Sequence, residues 1–154
     1  MYWKNMSMLF SISAICGVIL SSCNNSEAKK VSVKLENELS LIVPMDNITL
    51  IKHYVSTGRS KVLLEDSYST SKPFTNVSKY YDAQLLKHGW QFRSEKEIKN
   101  WPSVDVIIHR TYSKNNFIAN FDYSKSQTYN WTFTLAFSWG LYDNHFGHIS
   151  SPAY

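Results

Sequence analysis

Ser138 is the residue of this chain that most resembles a nucleophile. It stands in Ala136-Phe137-Ser138-Trp139-Gly140, a variant of the G-x-S-x-G elbow, with Asp143 and His145 close behind to complete a triad on paper. The elbow works because a strand breaks sharply into a helix and presents the serine at the break. Here a period-two pattern runs straight through Ser138 and no helical pattern follows, so it reads as a serine on a strand. His145 and His148 have a spacing that would hold a metal if both sat on one helical turn. Their segment carries Gly147 and Pro152, which oppose a helix, and no further His or Cys cluster offers a third ligand. Glu65 and Asp66 are an acidic pair, but neighbours on a strand point to opposite faces and cannot share a reacting atom. His53 and His109 fall among apolar residues in strand patterns and read as sheet residues rather than ligands or bases. Tyr80, Tyr81 and Trp90 could line a ligand groove; at helical spacing the simpler reading is packing. No Walker loop, dinucleotide glycine pattern or nucleic-acid motif is present. No metal and no cofactor is expected.

The stretch that must position these residues is Ser71 to Trp90. Phe74, Val77, Tyr81 and Leu85 recur at three-four spacing, and Tyr80 and Leu86 widen the stripe. Ser71 is the expected N-cap and Pro73 suits a first turn. Gly89 follows the last periodic residues as a left-handed C′ residue would. A helix this short cannot bury its stripe alone, so it must lie on a sheet.

Strand patterns supply that sheet. Ile48 to Val55 and Lys61 to Tyr68 flank a turn at Ser56–Arg59. Trp90 to Ser94 reads as a short strand, and Glu95 to Asn100 as a charged loop before Trp101-Pro102. Val104 to Tyr112, Phe117 to Ser124 and Trp131 to Trp139 read as an antiparallel meander. The last alternates most strongly. Trp131, Phe133, Leu135, Phe137 and Trp139 mark a face that must be covered, and Thr132, Thr134, Ala136 and Ser138 mark a small polar one. Val31 to Val43 reads as a tether grading into an extended segment, because Val31, Val33 and Leu35 alternate. The expected fold is α+β, a single helix on a curved antiparallel sheet in the order ββαββββ. Residues 142–154 read as a loose tail.

The first residues follow a different logic. Lys4 precedes a short apolar run, Met8 to Leu20, that is too short for a comfortable membrane span. It ends in Leu20-Ser21-Ser22-Cys23, which resembles the lipobox of bacterial lipoprotein signal peptides. That resemblance implies a signal peptide over 1–22, cleavage before Cys23, and lipid on its thiol and amino group. Asn24, rather than aspartate, implies onward sorting to the outer membrane, with the domain facing the periplasm. Residues 23–43 would then be lipidated cysteine and tether, and 44–154 a single domain. The plan of the domain, with its YY…L…GW helix, resembles small bacterial envelope lipoproteins of unassigned function, and it transfers no functional residue.

Cysteine usage fits this layout. The two cysteines are Cys16, inside the signal, and Cys23. The folded part has none and must rely on its apolar core. A formal charge of +4 is too small a bias to argue for nucleic acid. The Asn-x-Ser/Thr triplets at Asn24, Asn47, Asn76 and Asn130 are sequons in form only for a bacterial lipoprotein. The expected partners are the membrane, through the lipid, and a protein or cell-wall component of the envelope. The expected role is a non-catalytic binding or interaction module, an immunity or inhibitor lipoprotein being one version. The alternatives are a structural accessory of an outer-membrane assembly and a periplasmic hydrolase. Expected binding surfaces are the loops around Arg59, Glu95 to Trp101 and Ser126 to Tyr129, since recognition concentrates in loops on a rigid sheet. Trp101 is the preferred anchor, with Arg59 and Tyr129 beside it.

Overall fold

The computed structural model describes residues 26–100, 105–124 and 129–140. Helix α1 covers 26–40 and is followed by strands β1 (Thr49–Thr57) and β2 (Val62–Ser69). Helix α2 (Phe74–Lys87) comes next, then strands β3 (Gln91–Asn100), β4 (Asp105–Lys114), β5 (Phe117–Ser124) and β6 (Phe133–Trp139). The strands form one open antiparallel sheet in the order β1-β2-β6-β5-β4-β3. The meander β3 to β6 folds back so that β6 meets β2, which leaves β1 and β3 as the two edges.

Antiparallel register fixes the faces. Leu64 stands opposite Phe137, Tyr68 opposite Phe133, and Leu135 opposite Phe121. These residues join Val77, Tyr81 and Leu85 of α2 and Ala28, Val31 and Leu35 of α1 in a single apolar core. The aromatic row of β6 is covered as its alternation demands: Phe133 stacks with Tyr68 at 4.9 Å and packs against Tyr81 at 5.1 Å.

The fold is α+β as expected, with a second helix that the alternation of Val31, Val33 and Leu35 conceals. Two periods coexist in that stretch. Ala28, Val31, Leu35 and Ile42 are buried, the three-four spacing of a helix, while Val33 is 51% exposed. The residues expected to form a tether and an extended segment therefore supply core side chains, and helix order begins before β1. The Glu38 carboxylate then receives the Lys114 ammonium at 2.7 Å and the Trp90 indole N–H at 3.2 Å. This clamp ties α1 to β4 and to the residue entering β3.

Two boundaries also move. The N-cap of α2 is Pro73, with extended ψ and no side-chain cap, rather than Ser71. The expected loop over Glu95–Asn100 continues β3, because pairing with β4 satisfies the backbone whatever the side chains carry. The other end of α2 follows expectation. Gly89 has φ of 83°, its N–H meets the Leu86 carbonyl, and the Trp90 N–H meets that of Leu85. That pair of bonds is a Schellman ending, with Leu85 and Trp90 both buried beneath it.

Candidate functional site

One end of the sheet opens into a cleft of about 550 Å³. It is lined by Ser69, Thr70, Pro73, Phe74, Tyr123 and Ser124 together with Tyr129, Asn130, Trp131 and Thr132. Thr132 is the lining residue with the most bonds. Its N–H donates to the Tyr68 carbonyl, and its carbonyl accepts from the Ser124 N–H. Its hydroxyl accepts from the Thr70 N–H and donates to the Thr70 carbonyl, both at 3.1 Å. The ends of β2, β5 and β6 are thus locked together. The Tyr123 hydroxyl donates to the Lys72 carbonyl at 3.0 Å, and Phe74 meets the Tyr123 ring edge-on at 5.3 Å. Tyr129 stacks on Trp131 with centroids 4.8 Å apart. Among the described residues lining the cleft, none is charged. Such a site offers ring faces, hydroxyls and one carboxamide, which hold a ligand by stacking and neutral hydrogen bonds.

The face of the sheet away from the helices holds a second constellation. Register puts Lys52, Ser67, Thr134, Asp122 and His109 in one row, and Tyr54, Glu65, Ala136, Asn120 and Thr111 in the next. His109 Nδ1 lies 2.5 Å from Asp122 Oδ1, and its Nε2 lies 3.1 Å from Thr111 Oγ1. Hydroxyl, imidazole and carboxylate follow the order of a nucleophile relay. At Thr111, however, β4 is paired on both sides, with Ser94 and with Asn120. The backbone donors there belong to the ladders rather than to an oxyanion site. The same contacts satisfy the buried His109 and Asp122 side chains. Glu65 on this face is raised above the ordinary carboxylate range, first by burial and then by the charge of Asp122, against a lowering by Lys52. The face expected to be small and polar is also nearly closed to solvent, Ser138 being only 1% exposed. Its small side chains stand between longer ones: Leu63 and Ile118 flank Ser138, and Glu65 and Asn120 flank Ala136.

The helix face carries its own polar groups. His53 Nδ1 lies 2.6 Å from Asp66, whose other oxygen accepts from the Tyr68 hydroxyl. Burial first, and then Asp66, raise the Tyr68 phenol far above its ordinary value. Arg110 binds Glu95 through Nε at 2.6 Å and Asp82 at 2.5 Å, and sits 5.1 Å from the Phe74 ring. Burial opposes its charge, and the two carboxylates outweigh burial and raise its pKa. Tyr112 donates to the same Asp82.

The expected site residues scatter. Ser138 lies inside uninterrupted β6. Glu65 and Asp66 occupy opposite faces. Tyr81 and Trp90 belong to the core, whereas Tyr80 is partly exposed and donates to the Val43 carbonyl. Arg59 is exposed in the β1–β2 turn, and Tyr129 sits beyond the other end of β2, so the strand's eight residues, about 25 Å of chain, separate them. Cys23, Trp101, Asp143, His145 and His148 lie outside the described residues. Among the described residues no three His, Cys, Asp or Glu side chains gather as a metal ligand set, and no helix is long and apolar enough to cross a membrane. The cross-strand His–Asp pairs escape a reading of local sequence, although the Asn115-Asn116 turn holds the signal. Residues equidistant from its midpoint pair, and His109 with Asp122 is such a couple.

A comparison with known families finds no matching family model, and a comparison with curated proteins finds no match.

Proposed function

We propose that this chain is a lipid-anchored binding module of the bacterial envelope, held by acylated Cys23 and engaging a neutral, hydrogen-bonding ligand or partner at the Tyr129 cleft. The observation that carries the reading is the cleft's lining, aromatic and hydroxylic without a charge among its described residues. The Leu20-Ser21-Ser22-Cys23 match supports the anchor. Binding needs a rigid rim of rings and donors, and Thr132 supplies the rigidity. Catalysis would need a base within reach of a nucleophile and a stabilised anion, and among the described residues of the lining there is no His or carboxylate.

The test pairs two variants. Tyr129→Ala should reduce co-sedimentation with cell-wall glycan, or crosslinked partner capture from solubilised membranes, by roughly tenfold while the melting temperature holds. Ser138→Ala should leave both unchanged. A folded Ser138→Ala protein that loses binding or its cellular phenotype would overturn the reading, as would full binding by Tyr129→Ala. Intact mass of membrane-extracted protein should show residues 1–22 removed and acyl mass on Cys23.

A further inference from the structure

The two edges of the sheet are built differently. β3 is one edge, and of its ten residues Arg93, Glu95, Lys96, Glu97 and Lys99 are charged. Charges along an edge strand deter another strand from pairing there. β1 is the other edge, with nine residues and a single lysine, Lys52. Each edge has a bulge, at Arg93 and at Ile51, so the difference lies in the side chains. Leu50, Ile51, Tyr54 and Val55 of β1 are 41–52% exposed. No described strand pairs with the outer side of β1. Among the described residues, about 30 Å of backbone edge thus stands open, with exposed apolar side chains on both faces.

We propose that β1 is a self-association edge, where a second copy of this chain adds its own β1 antiparallel to form a continuous twelve-stranded sheet. The strand is complementary to itself about His53. In that register Ile51 faces the second copy's Val55 and Lys52 its Tyr54, the bulge at Ile51 ending the match before Leu50. One apolar pair forms on each side of His53, and each ammonium meets an aromatic ring. Within one copy Lys52 already lies 5.3 Å from the Tyr54 ring, which shows that the two side chains share a face. No lysine opposes a lysine. The one like pair is His53 with its counterpart, and each is held by its own Asp66 at 2.6 Å. Main-chain hydrogen bonds would supply affinity, and the alternate side chains would supply register.

The test uses the full-length chain in density-matched detergent, followed by sedimentation velocity over a concentration series. Wild type should pass from one chain to two. Tyr54→Lys puts lysine against Lys52 twice per dimer and should weaken association roughly tenfold. Adding Lys52→Glu to that variant turns both clashes into ion pairs and should restore the dimer. Exposed positions carry both changes, and an unaltered melting temperature would show that the fold is intact. A chain that stays monomeric at every concentration would overturn the proposal, and that includes the case where β1 accepts a different protein's strand. A dimer indifferent to Tyr54→Lys, or one not restored by the double variant, would overturn it equally.

Discussion

Two residues on the helix-free face carry the clearest expectations. Glu65 is held above the ordinary carboxylate range by burial and by Asp122. The folded chain thus keeps this proton more tightly than the unfolded chain does. On this account stability is greatest at acid pH, and it falls as pH rises from the ordinary carboxylate range through the raised folded value. Glu65→Gln should flatten that fall. Urea midpoints should show the variant ahead of wild type at about pH 7 and nearly level with it at about pH 4; an equal gap at both would count against the titration. His109 supplies a second comparison. Its side chain is 7% exposed, against 50% for His53. His109→Ala strands Asp122 in a buried position and should cost on the order of 3 kcal/mol. His53→Ala leaves Asp66 with Tyr68 and should cost about 1 kcal/mol or less. Equal losses in chemical denaturation would mean that burial does not set the value of these pairs. Neither pairing is visible in the local composition, where both histidines look like ordinary sheet residues. Each needs the turn located first, because a slip of one residue moves a side chain to the other face.

Elements were legible where one period dominates and obscure where two compete. The alternation of β6 and the Schellman ending of α2 could be read directly, since Phe133 to Trp139 and Gly89 have few other uses. α1 was hidden because Val31, Val33 and Leu35 fit a strand, and only the burial of Ala28 against the exposure of Val33 decides for a helix. The second half of β3 is hidden because its charges resemble those of a loop, although an edge strand tolerates them well. The candidate cleft is half visible: Tyr129 stands out in a loop, whereas Thr132, which ties Tyr68, Thr70 and Ser124 together, looks in sequence like any polar strand residue. The helix makes a sharp prediction. Leu35→Ala should cost about 2–5 kcal/mol in urea denaturation, and Val33→Ala should cost almost nothing. Small losses at both would place α1 outside the cooperative fold.

At the scale of the whole molecule, the docking of α1 changes what the N-terminus can do. A flexible tether from Cys23 to Val43 would span roughly 70 Å when extended. With helix order from residue 26, only the three links from Cys23 to Ser26 remain, at most ~11 Å. In the proposed anchored state, energy transfer from a label on the domain to acceptor lipids should be strong. Inserting twenty Gly-Ser residues after Cys23 should weaken it, and no change would mean that the natural leash is already long. A short leash turns search into a two-dimensional problem. In the proposed anchored state the domain would stay at the bilayer surface and would meet only what passes close to the lipid. Confinement of that kind raises the encounter rate between neighbouring copies, so edge pairing strong enough to be seen in sedimentation would be favoured further in a crowded membrane plane.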